Sequence, residues 1–210
     1  MAEIEIVPAI LVKTREEFAK KIALVAPYVK RVQIDIMDGK FVPNKTLAVE
    51  EFPLIPEGLV VEYHLMVENP LEYVKKIGKR DAIYELHVES LKDVGKAIAA
   101  VKKMGGRVAL AISPDTLADE VLPHLPEIEH VLVMTVYPGF SGQTYLARME
   151  GKMRLLSEAG AVVEVDGGID IGTARSAAQA GATLLGAASG IFAKPDMAKA
   201  IEELKKDAES

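Results

Sequence analysis

The sequence predicts a closed (β/α)8 barrel made of one domain over residues 1–210. Three features carry that prediction. Short apolar runs alternate with amphipathic helical patterns from end to end, with no linker or break in composition, and strict alternation implies a parallel sheet. Eight such units can be counted, enough to close a barrel, although 210 residues fall short of the ~250 typical of that fold. No Gly-x-Gly-x-x-Gly follows the first strand, which weakens the alternative of an open doubly wound sheet.

In order along the chain, the first strand covers about residues 4–11. Thr14 caps a helix of about 15–28, with Glu17 at the capping-box position. The second strand is placed near 31–36, followed by a longer loop with a short irregular piece to about 57. The third strand is near 59–65, and Asn69-Pro70 opens the next helix with proline in its first turn. The fourth strand, near 82–88, leads to a helix of about 91–103 that ends at Gly105-Gly106. The fifth strand (107–112) runs through Ser113-Pro114-Asp115 into a short helix. The sixth (130–136) is followed by Pro138-Gly139-Phe140-Ser141-Gly142 and a helix to about 158. The seventh (161–166) ends at Gly167-Gly168, a helix begins near 171, and the eighth (183–187) precedes a closing helix pair.

Composition narrows the function classes. Half the residues are hydrophobic, enough for a sizeable core. The net charge of −6, without any Lys/Arg cluster, argues against nucleic acid and means that an anionic ligand needs local donors. There are no cysteines, which excludes disulfides and thiolate metal sites. No apolar run approaches the ~18 residues of a spanning helix, and the acidic N-terminus shows no signal peptide, so a cytoplasmic protein away from membranes is expected.

The functional signal lies on the strands. Side chains alternate faces along a strand, and four strands carry polar pairs near their C-terminal ends: Gln33/Asp35, Glu62/His64, Glu85/His87 and Glu164/Asp166. The residues between them, Ile34, Tyr63, Leu86 and Val165, would face the outer helices. Barrel interiors are usually filled with Val, Ile and Leu, and a buried carboxylate needs a partner, a metal or a proton. One such pair is an ordinary hydrogen-bonded core residue about as often as not; four in register point to an upper ring of Asp35, His64, His87 and Asp166, with Gln33, Glu62, Glu85 and Glu164 a layer deeper. Two Asp and one His converging from different strands suit a divalent cation such as zinc, iron or manganese. The second and seventh strands lie three steps apart in an eight-membered ring, so their carboxylates would flank a small ligand. That arrangement suits proton abstraction beside a carbonyl, with a cation polarising the carbonyl while one Asp removes a proton and the other delivers one.

The loops supply a candidate phosphate cradle in Gly139-Phe140-Ser141-Gly142, Gly167-Gly168 and Ala188-Ser189-Gly190, at the barrel end where phosphate sites commonly form. Met37, Met66 and Met134 lie at the same strand ends. Soft core filling is the simplest account of them; lining the pocket is the sharper one. His124 and His130 lie near the entry to the sixth strand, at the opposite barrel end, and are read as surface or structural residues.

With these residues in place, the chain resembles the ribulose-phosphate 3-epimerases over nearly its whole length. The matching segments are Pro8-Ala9-Ile10-Leu11, Asp35-Ile36-Met37-Asp38-Gly39 with Phe41-Val42-Pro43-Asn44, His64-Leu65-Met66-Val67, His87-Val88-Glu89, Pro138-Gly139-Phe140-Ser141-Gly142-Gln143 and Glu164-Val165-Asp166-Gly167-Gly168-Ile169. The resemblance implies a metal-dependent enzyme that inverts C3 of D-ribulose 5-phosphate to give D-xylulose 5-phosphate, a step of the pentose phosphate pathway. It implies that Asp35 and Asp166 are metal ligands and the acid/base pair, that His64 is a ligand, that the three methionines line the substrate and that the glycine-containing loops hold its phosphate. Members of the family often assemble, so it also allows a homo-oligomer. Several positions depart from the pattern: Gln33 stands where the family usually has a fourth ligand, a His; Ala9 replaces a substrate-contacting Ser; Tyr137 replaces an Asn; and Ala188 replaces a Gly. Two alternatives follow: a ketohexose-phosphate (allulose 6-phosphate) 3-epimerase, or a catalytically weak sugar-phosphate binder. The decarboxylase and aldolase relatives carry D-x-K-x-x-D, and Met37 occupies the Lys position.

Overall fold

The structure, a computed structural model, describes residues 3–210; the first two residues of the expected 1–210 domain lie outside it. Eight strands close into a barrel in chain order: β1 (Glu5–Ile10), β2 (Arg31–Met37), β3 (Val60–Met66), β4 (Ile83–His87), β5 (Arg107–Ile112), β6 (Val131–Met134), β7 (Val163–Asp166) and β8 (Leu184–Ala187). All pairings are parallel, and β8 closes on β1 from Leu184 beside Glu5 to Ala187 beside Pro8. The helices are α1 (Arg15–Val25), α2 (Pro70–Ile77), α3 (Val94–Lys103), α4 (Glu150–Glu158), α5 (Thr173–Gln179), α6 (Ser189–Phe192) and α7 (Met197–Ala208).

The main core lies between the strands' outer faces and the helices. Ile34, Ile36, Tyr63, Leu65, Leu86 and Val165 are buried there with Phe18, Ile98 and Leu156, each side chain stabilising the fold by roughly 1.5–3 kcal/mol. Because successive side chains alternate, seating these residues outward turns Gln33, Asp35, Glu62, His64, Glu85, His87, Glu164 and Asp166 into the barrel. Across the lumen a separate apolar cluster of Ala111, Leu132, Met134 and Val136 fills the interior. The β2–β3 register sets Gln33 beside Glu62 and Asp35 beside His64.

Side-chain caps fix where several helices begin. Thr14 Oγ1 accepts the Glu17 N–H at 3.2 Å, but the Glu17 carboxylate reaches back to the Lys13 N–H, one residue before the cap. Asp93 and Asp196 cap α3 and α7 by accepting the N–H of Lys96 and Lys199, each at 3.0 Å. Two helices differ from expectation. The one expected from 91 starts at Val94, after a 3-10 turn over Val88–Ser90. The short helix expected between β5 and β6 is a pair of 3-10 segments, Ala118–Glu120 and Leu122–Glu127; Pro123 and Pro126 remove the donors an α-helix would need. Among the described residues no helix is long and apolar enough to cross a membrane.

Candidate active site

Asp35, His64 and Asp166 converge at the C-terminal end of the barrel, and each offers a ligand atom within 4.8 Å of the others. His64 Nδ1 lies 3.1 Å from Asp35 Oδ1 and 3.7 Å from Asp166 Oδ2. Gln33 does not stay in the deeper layer. Its amide rises between the carboxylates, and Nε2 donates to Asp35 Oδ1 at 2.8 Å and to Asp166 Oδ2 at 3.1 Å. Nε2 is also 3.2 Å from His64 Nδ1.

Burial and like charge set the protonation of this group. Burial, then the neighbouring Asp35 charge, push Asp166 up to about 7 against the opposing effects of His64 and the Gln33 hydrogen bond. His64 is fully buried, which alone would lower it. The hydrogen bond and charge of Asp35, with the charges of Glu85 and Asp166, outweigh burial and raise it to about 9. A charged His64 donates from both ring nitrogens, to Asp35 and, at 2.9 Å, to His87 Nε2. Burial lowers His87, so its neutral ring donates from Nδ1 to Glu89 Oε2 at 3.2 Å.

The donor set fits a divalent cation. Gln33 Oε1 is buried and has no hydrogen-bond partner; an amide turned over would bring this oxygen to the two carboxylates and the imidazole, giving four N/O donors.

Above the group lies a pocket open to solvent. Asp35 and Asp166 form its floor and Met37, Met66 and Met134 part of its wall. Gly139, Phe140, Ser141 and Gly142 after β6, Gly167 and Gly168 after β7, and Ala188 and Ser189 after β8 form the rim. The paired glycines are required by packing. A Cβ on Gly167 would meet Val136 Cγ2 at 2.4 Å, and one on Gly168 would meet the Tyr145 backbone nitrogen at 2.6 Å; both have positive φ. Gln143 Nε2 donates to the carbonyls of Tyr137 (2.7 Å) and Phe140 (2.9 Å), which fixes the β6 loop. Asp38 accepts the N–H groups of Lys40, Phe41 and Glu68 and fixes the loop after β2.

A profile of the ribulose-phosphate 3 epimerase family matches residues 5–192, nearly all of the barrel just described. The chain belongs to this family. The ribulose-phosphate 3-epimerase of Methanocaldococcus jannaschii is 39% identical over 185 residues, covering 83% of this chain and 78% of that protein. The Bacillus subtilis enzyme is 34% identical over 188 residues (83% and 85%). The cytoplasmic isoform of Oryza sativa subsp. japonica is 36% identical over 187 residues (85% and 82%). The protein is therefore an isomerase of the epimerase kind. In fold alone it is similar to 3-hexulose-6-phosphate synthase from Salmonella typhimurium, with TM-score 0.72, 16% identity and 98% of each chain covered. KGPDC from Streptococcus mutans gives 0.70 at 16% identity, covering 99% of this chain and 98% of that one.

Not every expected residue reaches the pocket. Ala9 is buried beside Gln33 in the β1–β2 register, and His64 lies beneath the two carboxylates without lining the cavity. His130 is buried and turned into the barrel, so of its two readings the structural one holds and the surface one does not. Gly186 was missed. It lines the pocket, and a Cβ there would come within 2.8 Å of the Val165 carbonyl and 3.4 Å of Gln33 Oε1. The signal was a glycine inside a strand, which marks close approach.

Proposed function

We infer that this epimerase inverts C3 of D-ribulose 5-phosphate to D-xylulose 5-phosphate by proton transfer between Asp35 and Asp166. The observation that carries this reading is the pair of carboxylates, presented by β2 and β7 to one pocket with His64 and Gln33 between them. Family membership supplies the epimerisation of a pentose phosphate.

The residues act as follows. Asp35 takes the C3 proton from one face of the sugar. Asp166 returns a proton to the other face, and the roles exchange in the reverse direction. Two carboxylates in different environments suit this division of labour. His64 fixes Asp35 through Nδ1 and is itself fixed by His87. A divalent cation (zinc, iron or manganese) held by Asp35, His64, Asp166 and the Gln33 amide oxygen would supply Lewis-acid polarisation of the C2 carbonyl. Met37, Met66 and Met134 give the carbon chain an apolar wall. The backbone of Gly139–Gly142, Gly167–Gly168 and Ala188–Ser189 takes the phosphate, where glycine lets N–H groups approach an anion. The rice relative's designation as a cytoplasmic isoform supports a cytoplasmic setting.

The test is epimerisation in D2O, followed by NMR of the product. Deuterium should enter at C3, and D35N and D166N should each lower turnover by about 10²–10⁴-fold. Full activity in either variant overturns the assignment. Running allulose 6-phosphate beside ribulose 5-phosphate decides the substrate.

A further inference from the structure

One residue pair below the candidate active site, along the same strands, lies a second cluster that the proposed chemistry does not use. Glu62 on β3, Glu85 on β4, Glu164 on β7 and His130 just before β6 each place a ligand atom within 4.8 Å of the others, and all four are buried. His130 Nε2 donates to Glu85 Oε1 at 2.9 Å. Glu164 Oε2 is as near, at 2.8 Å, so the one Nε2 hydrogen is shared between two carboxylates. Arg31 bonds one oxygen of Glu62 from the N-terminal end of the barrel and also holds Glu5, closing the cluster from below.

These contacts leave much of the cluster unsatisfied. Glu62 Oε2, Glu85 Oε2 and Glu164 Oε1 are buried without a hydrogen-bond partner, and Glu164 Oε2 meets only the His130 ring that Glu85 also uses. Buried carboxylate oxygens cost several kcal/mol unless they meet a proton, a donor or a metal. The charge count points the same way. With His130 protonated and Arg31 shared between Glu62 and Glu5, ionised carboxylates outnumber the positive charges that face them. A dipositive ion bound to a neutral His130 adds positive charge that the cluster lacks.

We propose that Glu62, Glu85, Glu164 and His130 form a second divalent-cation site, sealed inside the barrel beneath the first. Three carboxylates and one imidazole are hard-to-borderline donors suited to manganese, zinc or iron(II). A separation of at most 4.8 Å between ligand atoms closes onto ligand bonds of about 2.0–2.2 Å with small side-chain rotations. Two residues along a strand set the two sites about 7 Å apart. Because Arg31 and the strands enclose it, the ion loads as the chain folds and exchanges slowly, and its binding energy contributes to folding.

The test separates the two sites. The full chain is produced as D35N/D166N, which removes the carboxylates of the upper group, in medium supplemented with zinc or manganese. It is then desalted against chelator, and the metal is counted by mass spectrometry. About one retained equivalent per chain is expected, falling to about a tenth or less when E85Q/E164Q is added. Anomalous scattering from wild-type crystals should place that ion between Glu85 and Glu164. If E85Q/E164Q fails to fold, the melting temperature of D35N/D166N grown with and without metal serves instead, and the metal-loaded form should melt higher. A D35N/D166N chain that keeps no metal and melts identically either way overturns the proposal and leaves shared protons as what balances the cluster. Since the upper carboxylates are absent, neither result depends on the epimerase mechanism.

Discussion

The barrel holds two polar groups built from the same materials but placed differently. The upper one joins Asp35, His64, Asp166 and Gln33; the lower one joins Glu62, Glu85, Glu164 and His130. Strands β3 and β7 contribute to both, two residues apart. In the upper group an amide crosses between the carboxylates and the pocket opens above them. In the lower group no amide intervenes, Arg31 closes the exit and three carboxylate oxygens, Glu62 Oε2, Glu85 Oε2 and Glu164 Oε1, stay unpartnered. Carboxylates at a pocket floor can exchange protons with a substrate. Carboxylates sealed in the interior can act only through charge. An acidic barrel interior is within reach of a pocket ligand only in the layer that meets the loops.

The largest effects should separate the layers by kind. D166N is expected to lose about 10²–10⁴-fold in turnover while its urea midpoint stays level or rises, since the change relieves a like-charge contact with Asp35. H130L is expected to lose about 3–5 kcal/mol of stability, because it removes the positive partner of buried carboxylates. Urea unfolding at pH 7 measures both. If D166N unfolded as easily as H130L, the distinction between the layers would fail.

A smaller effect tests how the upper group is anchored. Glu89 sits at the far end of the chain Asp35–His64–His87–Glu89. Burial, the largest single influence, would raise it, but the hydrogen bonds from His87, the Thr116 hydroxyl and the Ser113 N–H together outweigh burial and hold Glu89 at about 2. A depressed carboxyl stabilises the fold above its unfolded value near 4.5 and loses that contribution as pH falls towards 2. With the side chain a quarter exposed, the contribution is roughly 2 kcal/mol. The stability gap between wild type and E89Q should therefore shrink between pH 5 and pH 2, as followed by urea midpoints. A gap constant across that range would show that Glu89 carries no such charge-dependent bond.

How much of this was legible in the sequence depended on whether the signal was local. Strand alternation exposed Asp35, His64, Glu85, Glu164 and Asp166, because a period of two fixes which face each occupies. The loop glycines were legible as turns, but the clashes at Gly167 and Gly168 come from Val136 and Tyr145, which are remote in sequence. His130 opens the expected sixth strand, one residue before the observed β6, and shares parity with the inward Leu132 and Met134, so its inward face was legible by the same period of two. The Glu89 anchor needs Ser113 and Thr116, more than 20 residues away, and no local pattern announces it. The proline pair in Leu122–Glu127 was visible, and its veto on an α-helix was the available correction.

Gln33 carries the finest test of the contrast between layers. Its sequence position says only that a ligand His is missing. The structure adds that the amide hydrogens occupy the space between Asp35 and Asp166, so without a cation Gln33 neutralises part of the carboxylate repulsion that a His at that position would meet by protonation. An amide oxygen is a weaker ligand for zinc than imidazole. Q33H should therefore tighten zinc binding at the upper group by about tenfold, roughly 1.4 kcal/mol, while lowering the stability of the cation-free protein. Competition with a chromophoric chelator reads the first effect, and melting in the presence of chelator reads the second. If Q33H leaves zinc affinity unchanged, Gln33 is a spacer that orients the two carboxylates and not a ligand, and the cation rests on Asp35, His64 and Asp166 alone.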